Sequence, residues 1–196
     1  MAHMTRALKE WAIIVDALGR GDQILVLRSG GISEKNRHFR IDRRDFLLFP
    51  THHHQHRDGV TEHIQPRFDA LHPTLDGGRQ VRLEYVASAA GWWKVSSFEE
   101  VRQLRDQHIW REEAVARRFH SGHEEGLYVL ALRVSRLPEP TEVPLEDALG
   151  GCRSWLDLST TIPTRGARPV LSDGAFARRM AELIRRFEPL GTRVIA

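Results

Sequence analysis

With 196 residues and 41% hydrophobic content, the chain can fill one substantial core and stays below the size at which cores divide. A charged fraction of 28% argues against disorder. No apolar run, Trp11 to Val15 among them, approaches the roughly 18–20 residues of a membrane helix, so an embedded protein is not expected.

The net charge of +3 and the pI near 9.5 permit a polyanionic partner without requiring one. Only Lys9, Lys35 and Lys94 of the 29 basic residues are lysines. A GC-rich genome accounts for most of that bias, although arginine also suits bidentate contact with phosphate. Met1-Ala2-His3, ahead of a second methionine at Met4, reads as a vector remnant. No basic-then-apolar leader opens the chain, so a cytoplasmic protein is expected. The single cysteine, Cys152, rules out an intrachain disulfide and a thiolate zinc cage. Arg153 beside it would lower a thiol pKa, but no histidine lies nearby in sequence, and a small buried hydrophobe is the plainer reading.

In chain order, residues 8–18 carry two signals. Leu8, Trp11, Val15 and Leu18 fit helical spacing, whereas Ile13-Ile14-Val15 favours a strand. Gly19-Arg20-Gly21-Asp22 is a turn and Gln23 to Arg28 a strand, which favours a hairpin, with a short helix as the alternative. Phe39 to Ile41 and Phe46 to Phe49 read as short strands, the second stopped by Pro50. The polar stretch 51–78 is long for a structureless connection, which points to a functional loop or a hidden short helix. Gln80 to Ala87 alternates as a half-buried strand, and Trp92 to Val95 is expected to pair with it across a bend at Ala89-Ala90-Gly91.

Ser97-Phe98-Glu99-Glu100 matches a capping box, opening a helix with Val101, Leu104 and His108 on one face. A second helix is expected over 112–119 and the strongest strand over 126–137, followed by a stiff connection through Pro138, Pro140 and Pro144. The last helix has Asp173 as its N-cap and Phe176, Met180, Leu183 and Phe187 as its apolar stripe. Strands, then helices, then a strand, without regular βαβ alternation, make an α+β domain. We expect one such domain over 4–164, with a mixed or antiparallel sheet and packed helices, and residues 165–196 as an amphipathic helical extension packed on it.

Several segments stand together in an order that carries a resemblance. They are Leu8-Lys9-Glu10-Trp11, Leu27-Arg28-Ser29-Gly30-Gly31-Ile32, Phe46-Leu47-Leu48-Phe49-Pro50-Thr51, His108-Ile109-Trp110, Arg118-Phe119, Leu132-Arg133-Val134 and Gly151-Cys152-Arg153-Ser154-Trp155. In register they resemble the prokaryotic domain of unknown function 1802 family, from about Leu8 to Leu158, with residues 165–196 outside the likeness. The resemblance implies an intracellular prokaryotic protein. In other chains such a domain is sometimes joined to a restriction-endonuclease-like catalytic domain, an association with restriction, defence or DNA handling. One departure is Ser29, which stands where the family often has lysine.

Three groups of residues are candidate sites. The stretch 28–44 holds Arg28, Lys35, Arg37, Arg40, Arg43 and Arg44 against only Glu34 and Asp42. Arginines on one hairpin face can track a phosphate backbone, so Arg28, Arg37, Arg40, Arg43 and Arg44 are the nucleic-acid candidates. His52, His54 and His56 would face one way in an extended chain and could hold zinc, nickel or copper. A surface cluster that takes metal only adventitiously is the plainer reading, so no cofactor is expected, with a divalent metal as the alternative.

Lys9, Glu10, Glu34, His54 and His108, with Arg28, would suit acid–base or metal-assisted phosphodiester chemistry if they converge. No Glu-x-Lys or Asp-x-Lys occurs anywhere in the chain, which counts against a restriction-type nuclease. Trp92, Trp93, Trp110 and Trp155 read as core. The expectation is a nucleic-acid-associated accessory or recognition domain, with a partner protein in a DNA-handling system. A small phosphodiester or nucleotide hydrolase is the alternative.

Overall fold

The computed structural model describes residues 3–29, 44–71, 80–121, 125–145 and 154–187. Strands β1 (His3–Trp11), β2 (Leu25–Arg28), β3 (Asp45–Thr51), β4 (Gln80–Val95), β5 (Leu127–Pro144), β6 (Trp155–Pro163) and β7 (Arg168–Pro169) form one sheet. Helices α1 (Ala12–Arg20), α2 (Gln65–Leu71), α3 (Phe98–Arg102), α4 (Glu112–His120) and α5 (Asp173–Phe187) accompany it. The strand order is β2-β5-β4-β3-β1-β6, with β7 adding to β5. The β1–β3 pair is parallel and the other pairings are antiparallel, so the sheet is mixed and the domain α+β.

The sheet is built on β4 and β5. In β4 every second residue from Val81 to Val95 is buried, so the alternation that marks Gln80–Ala87 runs on through Trp93. The expected bend at Ala89-Ala90-Gly91 is instead a bulge. Ala89 faces Leu132 and Gly91 faces Ala131, so one extra residue kinks a continuous strand. A larger shift in β5 sets Leu83 against Thr141 and Tyr85 against Arg136. Pro138 and Pro140 fall inside that shift, where the ladder needs no N–H from them.

Apolar runs in β1 and β3 reflect burial on both faces. Leu8, Phe46 and Leu48 join the large cluster with α1 and α5, whereas Ala7, Leu47 and Phe49 join a second cluster with Val81, Leu137, Leu156 and Ile162. Pro50 does not stop β3; it lies opposite Glu10, beyond Leu47, where the β4 register ends.

The hairpin over 8–28 is not formed. The chain runs β1, α1, β2, the helical alternative. Ile13, Ile14 and Val15 sit in α1 because burial of nearly the whole helix outweighs their strand preference. Gly21, at φ 74°, ends it in a left-handed turn; the Gly21 and Asp22 N–H groups donate to the Leu18 and Ala17 carbonyls. Gly19 is required by close approach, since a Cβ there would lie 2.2 Å from the Tyr85 ring of β4.

The stretch after β3 does contain a hidden helix, α2, preceded by two 3₁₀ turns at Arg57–Gly59 and Glu62–Ile64. The helix opened at Ser97 stops at Arg102, and the chain reaches His108 through turns. Ser97 makes no side-chain cap bond there. The second helix, α4, forms as expected. β6, absent from the sequence reading, pairs with β1. For α5 the cap is Ser172 rather than Asp173: Ser172 Oγ accepts from the Ala175 N–H at 3.2 Å, and its carbonyl from the Phe176 N–H. Leu183 and Phe187 are buried in the same cluster as α1, with Phe176 and Met180 partly buried beside them. The expected strand at Phe39 to Ile41 lies outside the described residues.

Candidate functional site

Glu10, next to last in β1, is only 2% exposed. Its Oε1 accepts from the Trp11 N–H at 2.8 Å, and its Oε2 from Arg28 Nη1 at 3.1 Å. Arg28, at the end of β2, also donates from Nη1 to the Lys9 carbonyl (3.1 Å) and from Nη2 to Ser154 Oγ (2.6 Å). Ser154 leads into β6, and its carbonyl accepts from the Lys9 N–H at 2.8 Å. A second guanidinium, Arg118 of α4, lies 4.0 Å from Glu10 Oε1 and donates to the Leu27 carbonyl. It stacks over the rings of Trp11 and Trp110, 4.5 and 5.2 Å from their centroids. Burial holds the Arg118 pKa below its ordinary value; Glu10 works against that and Arg28 adds to it.

The structure therefore brings Glu10 and Arg28 together, with Lys9 contributing its backbone carbonyl and N–H, and adds Arg118, Trp11 and Ser154. This cluster braces β1, β2, the entry to β6, and α4. Chemically it is an anchored ion-pair set, with both Glu10 oxygens already accepting. It fixes the point at which the chain leaves β2 toward the basic residues that follow. The sequence reading had Arg118 and Ser154 only within motif fragments. Both residues act across long sequence separations, which leaves no local signal in the sequence.

His108 does not reach Glu10 directly. It is buried, with its ring edge-on to Trp110 at 5.5 Å, and Trp110 in turn lies under Arg118. Burial pushes its pKa down to about 4. A folded-state pKa below the unfolded value near 6.5 means the unfolded chain takes up a proton first as pH falls. Stability contributed by neutral His108 is thus present above about pH 6.5 and lost toward about pH 4, by up to about 3 kcal/mol. Urea unfolding between pH 7 and pH 4.5 is expected to show a shallower loss for His108→Gln than for the unaltered chain. Parallel pH profiles would contradict the buried neutral imidazole.

His52, His54 and His56 do not share a face. His54 adopts φ 60°, which turns the chain out of the extended geometry that would align them, and its ring lies 3.9 Å from that of His53. His52 Nδ1 meets Gln55 Nε2 at 2.7 Å, and His56 precedes a 3₁₀ turn. Among the described residues no three metal-ligating side chains are gathered. Glu34, Arg37, Arg40, Arg43 and Cys152 lie outside the described residues.

Arg44 is described. It is exposed and, among the described residues, has no carboxylate partner, while its carbonyl accepts from the Ala89 N–H. The adjacent carboxylate, Asp45, accepts a hydrogen bond from Ser88 Oγ. The guanidinium of Arg28, by contrast, is committed to the Glu10 cluster.

The chain belongs to the family described as Domain of unknown function (DUF1802), whose sequence profile matches residues 7–182. That match runs on through β7 and into α5, segments that the motif resemblance leaves outside. A comparison with curated proteins gives no match. Among solved structures, the chain is similar to ASCH from Zymomonas mobilis, at 10% identity and a TM-score of 0.44, over 91% of this chain and 94% of that one. A mutant of the same protein is similar at 9% identity and a TM-score of 0.45, with the same coverage.

Proposed function

We propose that this member of the DUF1802 family is a cytoplasmic, nucleic-acid-associated accessory or recognition domain of a prokaryotic DNA-handling or defence system. Arg37, Arg40, Arg43 and Arg44 make its phosphate contacts. The observation that carries the reading is Arg44: exposed, without a carboxylate partner among the described residues, and next to an Asp45 already engaged by Ser88. It continues the sequence run of Arg37, Arg40 and Arg43, where acidic residues are few. The Arg28–Glu10 brace supports this reading by fixing one end of that run to the core. No metal is part of it, and no helix among the described residues is long and apolar enough to cross a membrane.

The test is the salt dependence of binding. Each phosphate contact releases condensed counterions, so affinity falls with salt at a log–log slope of about −0.9 per contact on duplex and about −0.7 on single strands. Changing Arg40 and Arg43 together to glutamine is expected to flatten that slope by about one to two units with an unchanged circular dichroism spectrum. A slope left untouched by the double variant would place the contacts elsewhere.

The pairing of Glu10 with Arg28 favours a second reading, a small metal-dependent or acid–base hydrolase acting on phosphodiesters or nucleotides. Against it stands the burial of Glu10, whose two oxygens are already accepting.

A further inference from the structure

Strand β4 carries two adjacent tryptophans, and successive residues of a strand project to opposite faces. Trp93 is buried and stacks on Phe187 of α5, with centroids 4.7 Å apart. Trp110 and Trp155 are buried as well, and Trp11 has Arg118 over its ring. Trp92, expected in the core from sequence, is instead only partly buried.

The strand register sets Trp92 in a defined group. Tyr128 of β5 lies opposite Arg28 of β2 on one side and opposite Lys94 of β4 on the other. Residues directly opposite in antiparallel pairs share a face, so Arg28, Tyr128 and Lys94 make one row across three strands. Trp92, two residues before Lys94, shares that face. Its ring lies 6.2 Å from that of Tyr128, with the planes tilted by 46°. At that tilt neither ring covers the face of the other. Tyr128 is partly buried and Lys94 is exposed.

The same part of the sheet receives both ends of the basic stretch 28–44. Arg28 lies beside Tyr128, and the Arg44 carbonyl accepts from the Ala89 N–H, three residues before Trp92. Two tilted rings with a lysine in the same row, set between the ends of an arginine-rich stretch, offer chemistry for both parts of a nucleotide. A cross-strand aromatic pair that serves only the sheet requires neither the lysine nor that placement.

We infer that Trp92, flanked by Tyr128 and Lys94, is a stacking platform for an unpaired base of a single-stranded nucleic acid. The inference deepens the nucleic-acid reading and rests on it. The indole face takes the base, Lys94 meets a phosphate next to it, and the arginines of the 28–44 stretch carry the flanking backbone. Every base has a π-face, so the platform tolerates any sequence. An acidic polypeptide supplies charge but no flat ring for Trp92.

The experiment is fluorescence anisotropy on the full chain with a labelled single-stranded 20-mer and an abasic strand of the same length and charge. The variants are Trp92→Leu, which keeps apolar bulk without a π-face, Trp92→Phe, which keeps a ring, and Lys94→Gln. The unaltered chain should favour the base-bearing strand by roughly 5- to 100-fold, the range for one stacked base. Trp92→Leu should abolish that preference by weakening the base-bearing strand alone, and Trp92→Phe should retain part of it. Lys94→Gln should flatten the single-strand salt slope by about 0.7, one contact. Melting temperatures of the variants check the fold.

Equal affinity of the unaltered chain for the two strands, or a preference that Trp92→Leu leaves intact, would overturn the platform and leave the arginine contacts standing. A Trp92→Leu chain with a lowered melting temperature that loses both strands alike would make the ring a support of the sheet and overturn the inference. A slope unmoved by Lys94→Gln would overturn the phosphate contact assigned to Lys94. Absence of binding to either strand at about 50 mM salt would overturn the nucleic-acid reading itself.

Discussion

Replacing Glu10 by glutamine is expected to cost about 3–5 kcal/mol of folding stability, because removing the carboxylate of a buried ion pair strands its partner. Two guanidiniums depend on it. Arg28 lies at 3.1 Å with its side chain 13% exposed, and Arg118 at 4.0 Å with its side chain 19% exposed. Glutamine keeps the shape and could still accept one hydrogen bond, so the loss reports charge rather than volume. Urea unfolding measures it directly. The companion variant Glu10→Leu/Arg28→Met removes both members of the pair and should recover part of the loss, as apolar replacements of buried pairs do. A cost below about 1 kcal/mol for Glu10→Gln would mean that water reaches the pair and that the brace is electrostatically idle.

Leu183→Ala is expected to cost about 2–5 kcal/mol, the range for a fully buried leucine, as the site relaxes only partly around the lost atoms. Leu183 is 0% exposed and belongs to the cluster that joins α5 to the sheet and α1. Phe176 and Met180, on the same stripe, are only partly buried, and truncating either should cost less. Thermal and urea unfolding would rank the three. A change under about half a kcal/mol at Leu183 would mean that the stripe does not carry the helix. A loss in two separable transitions would mean that α5 folds independently of the sheet.

Much of this architecture is readable from local pattern. The stripe Phe176, Met180, Leu183, Phe187 and the alternation beginning at Val81 are periodic, and periodicity survives tertiary context. Ile13-Ile14-Val15 shows the opposite case. Their strand preference is worth a fraction of a kcal/mol each, and burial of α1 on both sides exceeds it. The Ala89-Ala90-Gly91 signal was genuine punctuation, but small residues mark a bulge as readily as a turn, and only the β5 partner decides which. β6 lacks a clear pattern because Thr160 interrupts the apolar face of Leu156, Leu158 and Ile162.

The candidate site was legible in part. Glu10 and Arg28 meet through their side chains and Lys9 through its backbone, whereas His54 and His108 fall elsewhere and Glu34 lies outside the described residues. Proximity across 18 residues or across 126, as between Arg28 and its partners Glu10 and Ser154, is set by the sheet and leaves no local signal. The three alternate histidines failed as a group because their alignment assumed an extended backbone, and His54 takes a left-handed turn instead.

The most direct test of the nucleic-acid account is anisotropy of the unaltered chain with labelled duplex and single-stranded oligonucleotides across a salt series. The account predicts binding measurable at about 50 mM salt and nearly lost at a few hundred millimolar, with a log–log slope corresponding to about two to four phosphate contacts. Absence of binding to either oligonucleotide at about 50 mM salt, or affinity indifferent to salt, would contradict it.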